Sequence, residues 1–330
     1  MGSNGQVNMK AVVIHQPGPA EVLKIEEHPV PTPKSGWVLI RVKAFGLNRS
    51  ELFTRQGHSP SVVFPRILGI EAVGTVVAVP GGEFQEGDTV ATAMGGMGRA
   101  FDGGYAEFTL VPAANVQRLN SSLAWDVLGA LPEMVQTAWG AIETALHLKQ
   151  GETMLIRGGT TSVGLTAAIL AKRRGAHVIA TTRRKDREDM LLANGADEVV
   201  FDTGEIATDV RRLRPGGVEK VFELVGTTTL TDSLNCAAKG GSVCMAGMVG
   251  DAWEYQHFAP MDIIPSTVNL TTYAGGADDF VATPLQEIID EVAAGRFKPP
   301  IGRVFAIDEI VDAHRTMEEN RSGGKIVVLT

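Results

Sequence analysis

Residues 154–168 read Met-Leu-Ile-Arg-Gly-Gly-Thr-Thr-Ser-Val-Gly-Leu-Thr-Ala-Ala. The apolar residues at the start predict a strand, Thr153–Arg157, and the Ala- and Leu-rich residues after the glycines predict a helix, Val163–Arg174. A glycine-rich turn in this position leaves backbone N–H groups at the positive end of a helix, where a pyrophosphate binds. The stretch therefore predicts a dinucleotide site, with an ordinary strand–helix turn as the alternative interpretation.

The glycine pattern departs from the usual fingerprint at one position. Counting back from Gly164, the middle glycine is replaced by Thr161, with Gly158 and Gly159 before it. We expect the hydroxyls of Thr161 and Ser162 to act as further donors to phosphate, so that the missing glycine does not abolish binding.

The next predicted strand, His177–Thr182, ends in a cationic run about twenty residues after the glycine turn. Sites for NAD commonly place an acid here for the ribose 2′-OH, whereas sites for NADP place hydroxyls and cations here for the 2′-phosphate. This chain has Thr182, Arg183, Arg184 and Lys185 before its first acid, Asp186. The run therefore favours NADP(H), and a solvated charge run at the start of a helix is the alternative.

The order of predicted strands and helices along the chain indicates two domains. Between about 125 and 274, strands alternate with helices, which is typical of a parallel doubly wound sheet of the Rossmann type. Short strands separated by Gly and Pro precede this region, with one predicted helix, Arg49–Gln56, that Asn48 would cap and Gly57 would end. Two amphipathic helices and a strand follow it. We predict an α/β chain with a Rossmann domain at 126–274 and a discontinuous β-rich domain at 9–125 plus 275–330.

Composition excludes several classes of protein. The net charge of −8 is a poor basis for binding nucleic acid. The two cysteines form no disulfide framework, so a reducing, cytoplasmic location is expected. Apolar runs are too short to span a membrane. Residues 1–8 precede a second Met-Lys start at Met9 and are interpreted as a tag or a disordered extension.

Several motifs in collinear order resemble the medium-chain dehydrogenase/reductase superfamily, and within it the zinc-independent NADPH:quinone oxidoreductase group. The motifs are Met9-Lys-Ala-Val-Val, Gly46-Leu-Asn48 with Glu51, Arg55 and Gly57, Pro65-Arg-Ile-Leu-Gly-Ile-Glu-Ala-Val-Gly74, Glu86-Gly-Asp88, Gly103-Gly-Tyr-Ala-Glu107, Thr137-Ala-Trp139 and Gly324-Lys-Ile-Val327. The resemblance implies a GroES-like catalytic domain around the Rossmann domain, with NADPH in the cleft between them, and a homodimer.

The resemblance also implies that no metal is bound. Zinc-dependent relatives carry Cys where this chain has Asn48, and His where it has Ile70, whereas a catalytic zinc needs about three Cys, His or acidic ligands. Cys236 and Cys244 both lie in the cofactor half of the chain and are interpreted as buried small hydrophobic residues.

The family's functional residues map onto this chain at several positions. Asn48 would be the catalytic residue near the nicotinamide and the substrate, with Thr137 beside the ring, Gly226 making room for the cofactor and Lys325 reaching it from the last strand. Along the pyrophosphate would lie Gly158, Thr161, Ser162 and Val163, and at the 2′-phosphate Arg183 and Lys185, next to Thr182. The alternatives are that Asn48 and Thr137 are only helix N-caps. Glu71 is interpreted as a structural carboxylate.

The chain departs from the group in its pocket residues. Phe53 and Ser59 stand where members often have tyrosines, and Asp202 replaces a tyrosine that often covers the adenosine. The predicted function is zinc-independent hydride transfer from NADPH to a small-molecule quinone or α,β-unsaturated carbonyl. The alternatives are an enoyl-thioester reductase and a weakly catalytic NADPH-binding sensor or interaction protein.

Overall fold

A computed structural model describes residues 7–330 of the chain. The chain divides into two compact units. Unit 1 comprises the residues up to Glu133 together with Gly275–Thr330, and unit 2 comprises Met134–Ala274. The division falls at 133/134, slightly later in the chain than the predicted 125/126.

The strands, in chain order, are β1 (Asn8–Ile14), β2 (Lys24–Pro29), β3 (Trp37–Gly46), β4 (Arg66–Ile67), β5 (Glu71–Ala78), β6 (Thr89–Ala93), β7 (Phe108–Pro112), β8 (Val116–Arg118), β9 (Thr153–Arg157), β10 (His177–Thr182), β11 (Glu198–Phe201), β12 (Val218–Glu223), β13 (Ala237–Met245), β14 (Asn269–Thr272), β15 (Ile301–Ala306) and β16 (Lys325–Leu329). The helices are α1 (Arg49–Gln56), α2 (Trp125–Ala130), α3 (Pro132–Gly140), α4 (Ser162–Arg173), α5 (Glu188–Ala193), α6 (Ala207–Leu213), α7 (Leu230–Cys236), α8 (Pro260–Ile263), α9 (Ala277–Ala282), α10 (Leu285–Ala293) and α11 (Ile310–Glu318).

Unit 2 is built on one parallel sheet with strand order β11-β10-β9-β12-β13-β14. This is the doubly wound order, with β9 in the middle of the sheet. The central strand is buried along its whole length, as the continuous apolar run Met154-Leu-Ile requires. The predicted Rossmann fold is confirmed, and the sheet contains one strand that the sequence did not reveal, β14.

Unit 1 is rich in antiparallel strands. Its larger sheet has the order β15-β16-β3-β5-β6-β8, with β7 paired to β3, and a smaller sheet has the order β2-β1-β4. The last strand, β16, lies antiparallel to β3, with Val328 opposite Phe45. This pairing holds the end of the chain in unit 1 and brings Lys325 towards the C-terminal end of β3. The β-rich character predicted for this part is confirmed.

Local predictions are confirmed at α1 and corrected elsewhere. Helix α1 has the predicted bounds, and Gly57 ends it with φ +99°. The helix predicted from Thr137 begins earlier, at Pro132, so Thr137 lies inside α3 and is not an N-cap. A π-helical segment, Ala141–Ala145, follows α3.

The predicted extension over residues 1–8 is too long. Asn8 is the first residue of β1 and lies opposite Pro29 of β2, and the Val7 carbonyl accepts a hydrogen bond from the Val30 N–H. The rest of the predicted extension, residues 1–6, lies outside the described residues. Within residues 7–330, no helix combines the length and the apolarity needed to cross a membrane.

Candidate functional site

The glycine turn of unit 2 has the geometry of a phosphate cradle. Gly158 has φ +84°, a conformation that L side chains rarely adopt. A Cβ at Gly164 would lie 2.6 Å from the Gly158 carbonyl oxygen, so only glycine fits there. Helix α4 starts immediately after the turn, and its first N–H groups, those of Ser162 and Val163, have no carbonyl four residues back in the helix to bond. These donors at the positive end of a helix suit a pyrophosphate.

Thr161 caps α4, which explains the departure from the glycine fingerprint. Its Oγ1 accepts the Gly164 N–H at 2.9 Å and donates to the Gly158 carbonyl at 2.9 Å. The hydroxyl proton that we expected to donate to phosphate is therefore used inside the turn. Thr161 stabilises the cradle rather than adding a donor to it.

The cationic run after β10 divides into one neutralised arginine and two cations that remain available. Arg184 donates from Nε to Asp186 Oδ1 at 2.9 Å and forms an ion pair with the same carboxylate. Arg183 and Lys185 are exposed and form no salt bridge with a described residue, and Lys185 Nζ lies 5.8 Å from the centre of the Phe201 ring. Thr182 Oγ1 accepts the Arg184 N–H at 3.1 Å, which fixes the turn. These two cations are the residues predicted for the 2′-phosphate, and that role stays a prediction.

Gly226 lies in a loop held by a buried carboxylate. It has φ +111°, and its N–H donates to Glu223 Oε1 at 3.0 Å. A Cβ at this position would lie 3.2 Å from the Gly247 carbonyl oxygen. Glu223 is buried at the end of β12 and also accepts the Thr229 hydroxyl at 3.1 Å.

Unit 1 contains a buried ionic cluster built around Lys325. The ammonium lies 2.8 Å from Glu71 Oε1, and it donates to Asn48 Oδ1 at 2.5 Å and to Glu133 Oε2 at 3.4 Å. Only 1% of the Lys325 surface is exposed, and Glu71 is fully buried. A Cβ at Gly46 would lie 2.3 Å from Lys325 Cε, so a larger residue there would require the Lys325 side chain to move.

The amide of Asn48 is fully engaged within this cluster. Its Nδ2 donates to Glu71 Oε1 at 2.9 Å and to Glu51 Oε1 at 3.3 Å, while its Oδ1 accepts from Lys325. Asn48 is at the N-cap position of α1, but its side chain makes no capping hydrogen bond and is engaged in the cluster instead. Asn48 is 7% exposed, and its hydrogen bonds fix the amide in one orientation.

Glu51 is the least satisfied member of the cluster. Its Oε1 accepts the Ile70 N–H at 3.1 Å, whereas its Oε2 is buried and has no hydrogen-bond partner among the described residues. Burial raises the pKa of Glu51 from 4.5 to about 7. The neighbouring Lys325 behaves in the opposite sense: although burial acts to lower its pKa, the Glu71 and Glu133 carboxylates raise it. Lys325 therefore stays charged, and Glu51 is partly protonated near neutral pH.

These contacts bear on two expectations from the sequence, one for Lys325 and one for Glu71. Lys325 was expected to reach the cofactor, but its ammonium is engaged with carboxylates inside unit 1 because β16 carries it into the core. Glu71 was interpreted as a satisfied structural carboxylate. It accepts from Lys325, Asn48 and the Glu133 N–H at 2.8 Å, which supports that interpretation.

Sequence reasoning missed one further residue, Arg157. It ends β9 directly before the cradle and is fully buried in a network of carboxylates. An arginine at the end of a buried, mostly apolar strand was the available signal, because a buried guanidinium requires acidic partners. Thr137 is half-buried in α3.

The donor set of the described residues does not favour a metal. No group of three or more His, Cys, Asp and Glu side chains within residues 7–330 has an arrangement that could hold a metal ion. Ile70 contributes only its backbone to the cluster, and Asn48 is bonded to an ammonium. Both cysteines are buried in unit 2, and burial raises the pKa of each thiol to about 12.

Comparison with known proteins identifies the family. A model described as the alcohol dehydrogenase GroES-like domain matches residues 34–121, and one described as zinc-binding dehydrogenase matches residues 194–328. The second range does not include Asn48 or Ile70. A quinone oxidoreductase from Pongo abelii is 29% identical to this chain and aligns over 99% of both proteins. An acryloyl-coenzyme A reductase from Sulfurisphaera tokodaii is 26% identical, over 97% of this chain and 99% of the relative.

Solved structures agree with this assignment. AibC is 30% identical with a TM-score of 0.86, covering 100% of this chain and 98% of its own. An NAD-dependent alcohol dehydrogenase (28% identical) and a mycobacterial protein complexed with NADPH (25%) both have TM-scores of 0.87, each covering 98% of this chain and 100% of its own. The chain belongs to the medium-chain dehydrogenase/reductase superfamily, and its Rossmann unit is that of an oxidoreductase with a nicotinamide cofactor.

Proposed function

We propose that this oxidoreductase uses NADPH to reduce a quinone or an α,β-unsaturated carbonyl compound, without zinc. The observation that carries the cofactor choice is the pair Arg183 and Lys185, which follow β10 without carboxylate partners among the described residues. An NAD site would commonly have an acid at this position for the ribose 2′-OH.

The residues of the cradle would hold and orient the cofactor. The N–H groups of Ser162 and Val163 would bind the pyrophosphate, and Arg183 and Lys185 would bind the 2′-phosphate. When bound, NADPH supplies the hydride. The turn fixes these donors before binding, since Thr161 and Gly158 already hold it in shape.

The side chains of unit 1 favour an electron-poor compound as the hydride acceptor. A metal that polarises a simple ketone would need Cys or His ligands, whereas this chain has Asn48 hydrogen-bonded to Lys325 and an isoleucine at position 70. Quinones and conjugated enones need less polarisation, because the negative charge of the product is delocalised and water can supply the proton. The quinone oxidoreductase relatives support the same class.

A second candidate is reduction of an enoyl thioester. It is favoured by one observation, the acryloyl-coenzyme A reductase among the relatives. The zinc-free assignment, the homodimer and the cytoplasmic location stay predictions that rest on the resemblance and on the residue composition.

One screen tests the proposal. Oxidation of NADPH, and of NADH as its matched control, would be followed by absorbance with quinones, enones, aldehydes and enoyl thioesters, with a chelator present. Turnover of quinones or enones with NADPH supports the proposal, and turnover of thioesters alone favours the second candidate. Turnover that the chelator abolishes contradicts the zinc-free mechanism. No turnover on any class favours a sensor or interaction protein.

A further inference from the structure

Arg157 is held in one orientation at the carboxyl end of the unit 2 sheet. Its Nε and Nη2 donate to the two oxygens of Asp202, each at 2.9 Å. Its Nη1 donates to Asp232 Oδ2 at 2.6 Å, and Nη2 also donates to the Gly204 carbonyl at 2.8 Å. A guanidinium that is bidentate to one carboxylate and bonded to a second leaves neither carboxylate free to turn away.

Asp202 lies beside the residues proposed for the 2′-phosphate. Its N–H donates to the Thr182 carbonyl at 2.8 Å, and the preceding residue, Phe201, is opposite Thr182 in the register of β10 and β11. The Asp202 backbone is therefore in direct contact with the residue before Arg183. Without Arg157, an acid at this position would be a natural partner for that arginine.

The pKa of Asp202 also reflects its contact with Arg157. Although burial acts to raise its pKa, the hydrogen bonds and charge of Arg157 hold it below the usual value, and Arg183 contributes in the same direction. The carboxylate is thus charged and within electrostatic range of both arginines. Only 8% of its side-chain surface is exposed, because Arg157 holds it inward.

We propose that Arg157 is a positioning residue for cofactor choice: by holding Asp202 inside the network, it keeps that carboxylate from pairing with Arg183 and leaves Arg183 for a 2′-phosphate. The inference rests on the proposed use of NADPH. The neighbouring Arg184 shows the contrasting case, since Asp186 neutralises it.

The test uses two nucleotides that differ only in the 2′-phosphate, adenosine 2′,5′-bisphosphate and 5′-AMP. Their dissociation constants would be measured by calorimetry on the full chain, so the readout does not depend on turnover. Arg157→Gln is expected to lower the preference for the bisphosphate by about tenfold, because the released carboxylate competes for Arg183. Arg157→Gln combined with Asp202→Asn is expected to restore the preference.

A second pair of variants covers the case in which Arg157→Gln does not fold. Arg157→Lys keeps one cation in the network, but a lysine reaches only one carboxylate at a time. The preference for the bisphosphate is therefore expected to fall two- to threefold. Adding Asp202→Asn to Arg157→Lys is expected to restore it. Asp202→Asn alone is expected to change the preference by less than about threefold, since its carboxylate is already neutralised.

The outcomes separate this inference from the proposed function. Equal binding of the two nucleotides by the unchanged protein contradicts the NADPH proposal itself. Suppose that the unchanged protein prefers the bisphosphate. The positioning role alone is then overturned if Arg157→Gln weakens binding of both nucleotides equally, or if Arg157→Lys leaves the preference unchanged. A large gain of preference in Asp202→Asn alone also overturns it, because the carboxylate would then already face the phosphate.

Discussion

At the scale of single residues, the two adjacent arginines after β10 differ in their ion pairing. Arg184 is neutralised by Asp186, whereas Arg183 forms no salt bridge with any residue that the structure describes. The sequence shows both as members of one cationic run. Only the geometry distinguishes the residue that is available to an anion from the residue that is not.

This difference makes a matched experiment possible. Arg183→Ala and Lys185→Ala are each expected to weaken NADPH binding about tenfold, since a charge-assisted hydrogen bond to phosphate is lost, and to leave NADH binding within about twofold. Arg184→Ala is the control and is expected to change little. Fluorescence titration of each cofactor measures the effect, and equal weakening of both cofactors by Arg183→Ala would contradict the 2′-phosphate assignment.

Individual residues also show which contacts the sequence could not predict. The cations at 183 and 185 were proposed for the 2′-phosphate because a nucleotide site places such residues at a fixed distance from the glycine turn. The engagement of Lys325 with Glu71 and Asn48 could not be found in this way, because it depends on β16 pairing with β3. A long-range strand pairing decides which charges meet, and no local pattern encodes it.

Among the secondary-structure elements, α4 shows how one side chain can substitute for a glycine. The Thr161 cap satisfies the Gly164 N–H, which a glycine at position 161 would leave to another acceptor. The strand and helix around this turn were predicted within a residue, since an apolar run, glycines and an Ala-rich helix follow each other directly. By contrast, β14 was missed because four residues with two threonines and an asparagine carry a weak signal.

The cap predicts a measurable contribution to stability. Thr161→Ala is expected to lower the free energy of unfolding by about 1 kcal/mol, because the N-cap hydrogen bond is lost. Thr161→Ser keeps the hydroxyl and is expected to remain within a few tenths of a kcal/mol of the unchanged protein. Urea unfolding followed by circular dichroism measures both. Equal stability of the alanine and serine variants would show that the hydroxyl does not act as a cap.

The buried cluster of unit 1 makes the stability of the whole molecule depend on pH. Glu51 has a pKa of about 7 in the folded chain, against an ordinary value of 4.5. Between these values the folded chain binds more protons than the unfolded chain. The contribution of Glu51 to the free energy of unfolding therefore falls as pH rises from 4.5 to about 7 and is level above that range.

Glu51→Gln removes this titration. The free energy of unfolding of the variant, relative to the unchanged protein, is expected to rise by roughly 3 kcal/mol between pH 4.5 and pH 8. Urea unfolding across this range, followed by tryptophan fluorescence, measures the difference. Glu83→Gln alters an exposed carboxylate and is the control, with a pH profile parallel to that of the unchanged protein. A constant offset for Glu51→Gln at every pH would contradict the raised pKa.

The bond between Lys325 and Asn48 joins residues 277 positions apart. During synthesis the ribosome therefore releases Asn48 and Glu71 long before their cation exists, and all of unit 2 emerges in between. Buried carboxylates without a cation are strongly unfavourable, so we expect unit 1 to remain open to water until β16 arrives. Unit 2, whose residues are contiguous, is free to fold first while the chain is still being made.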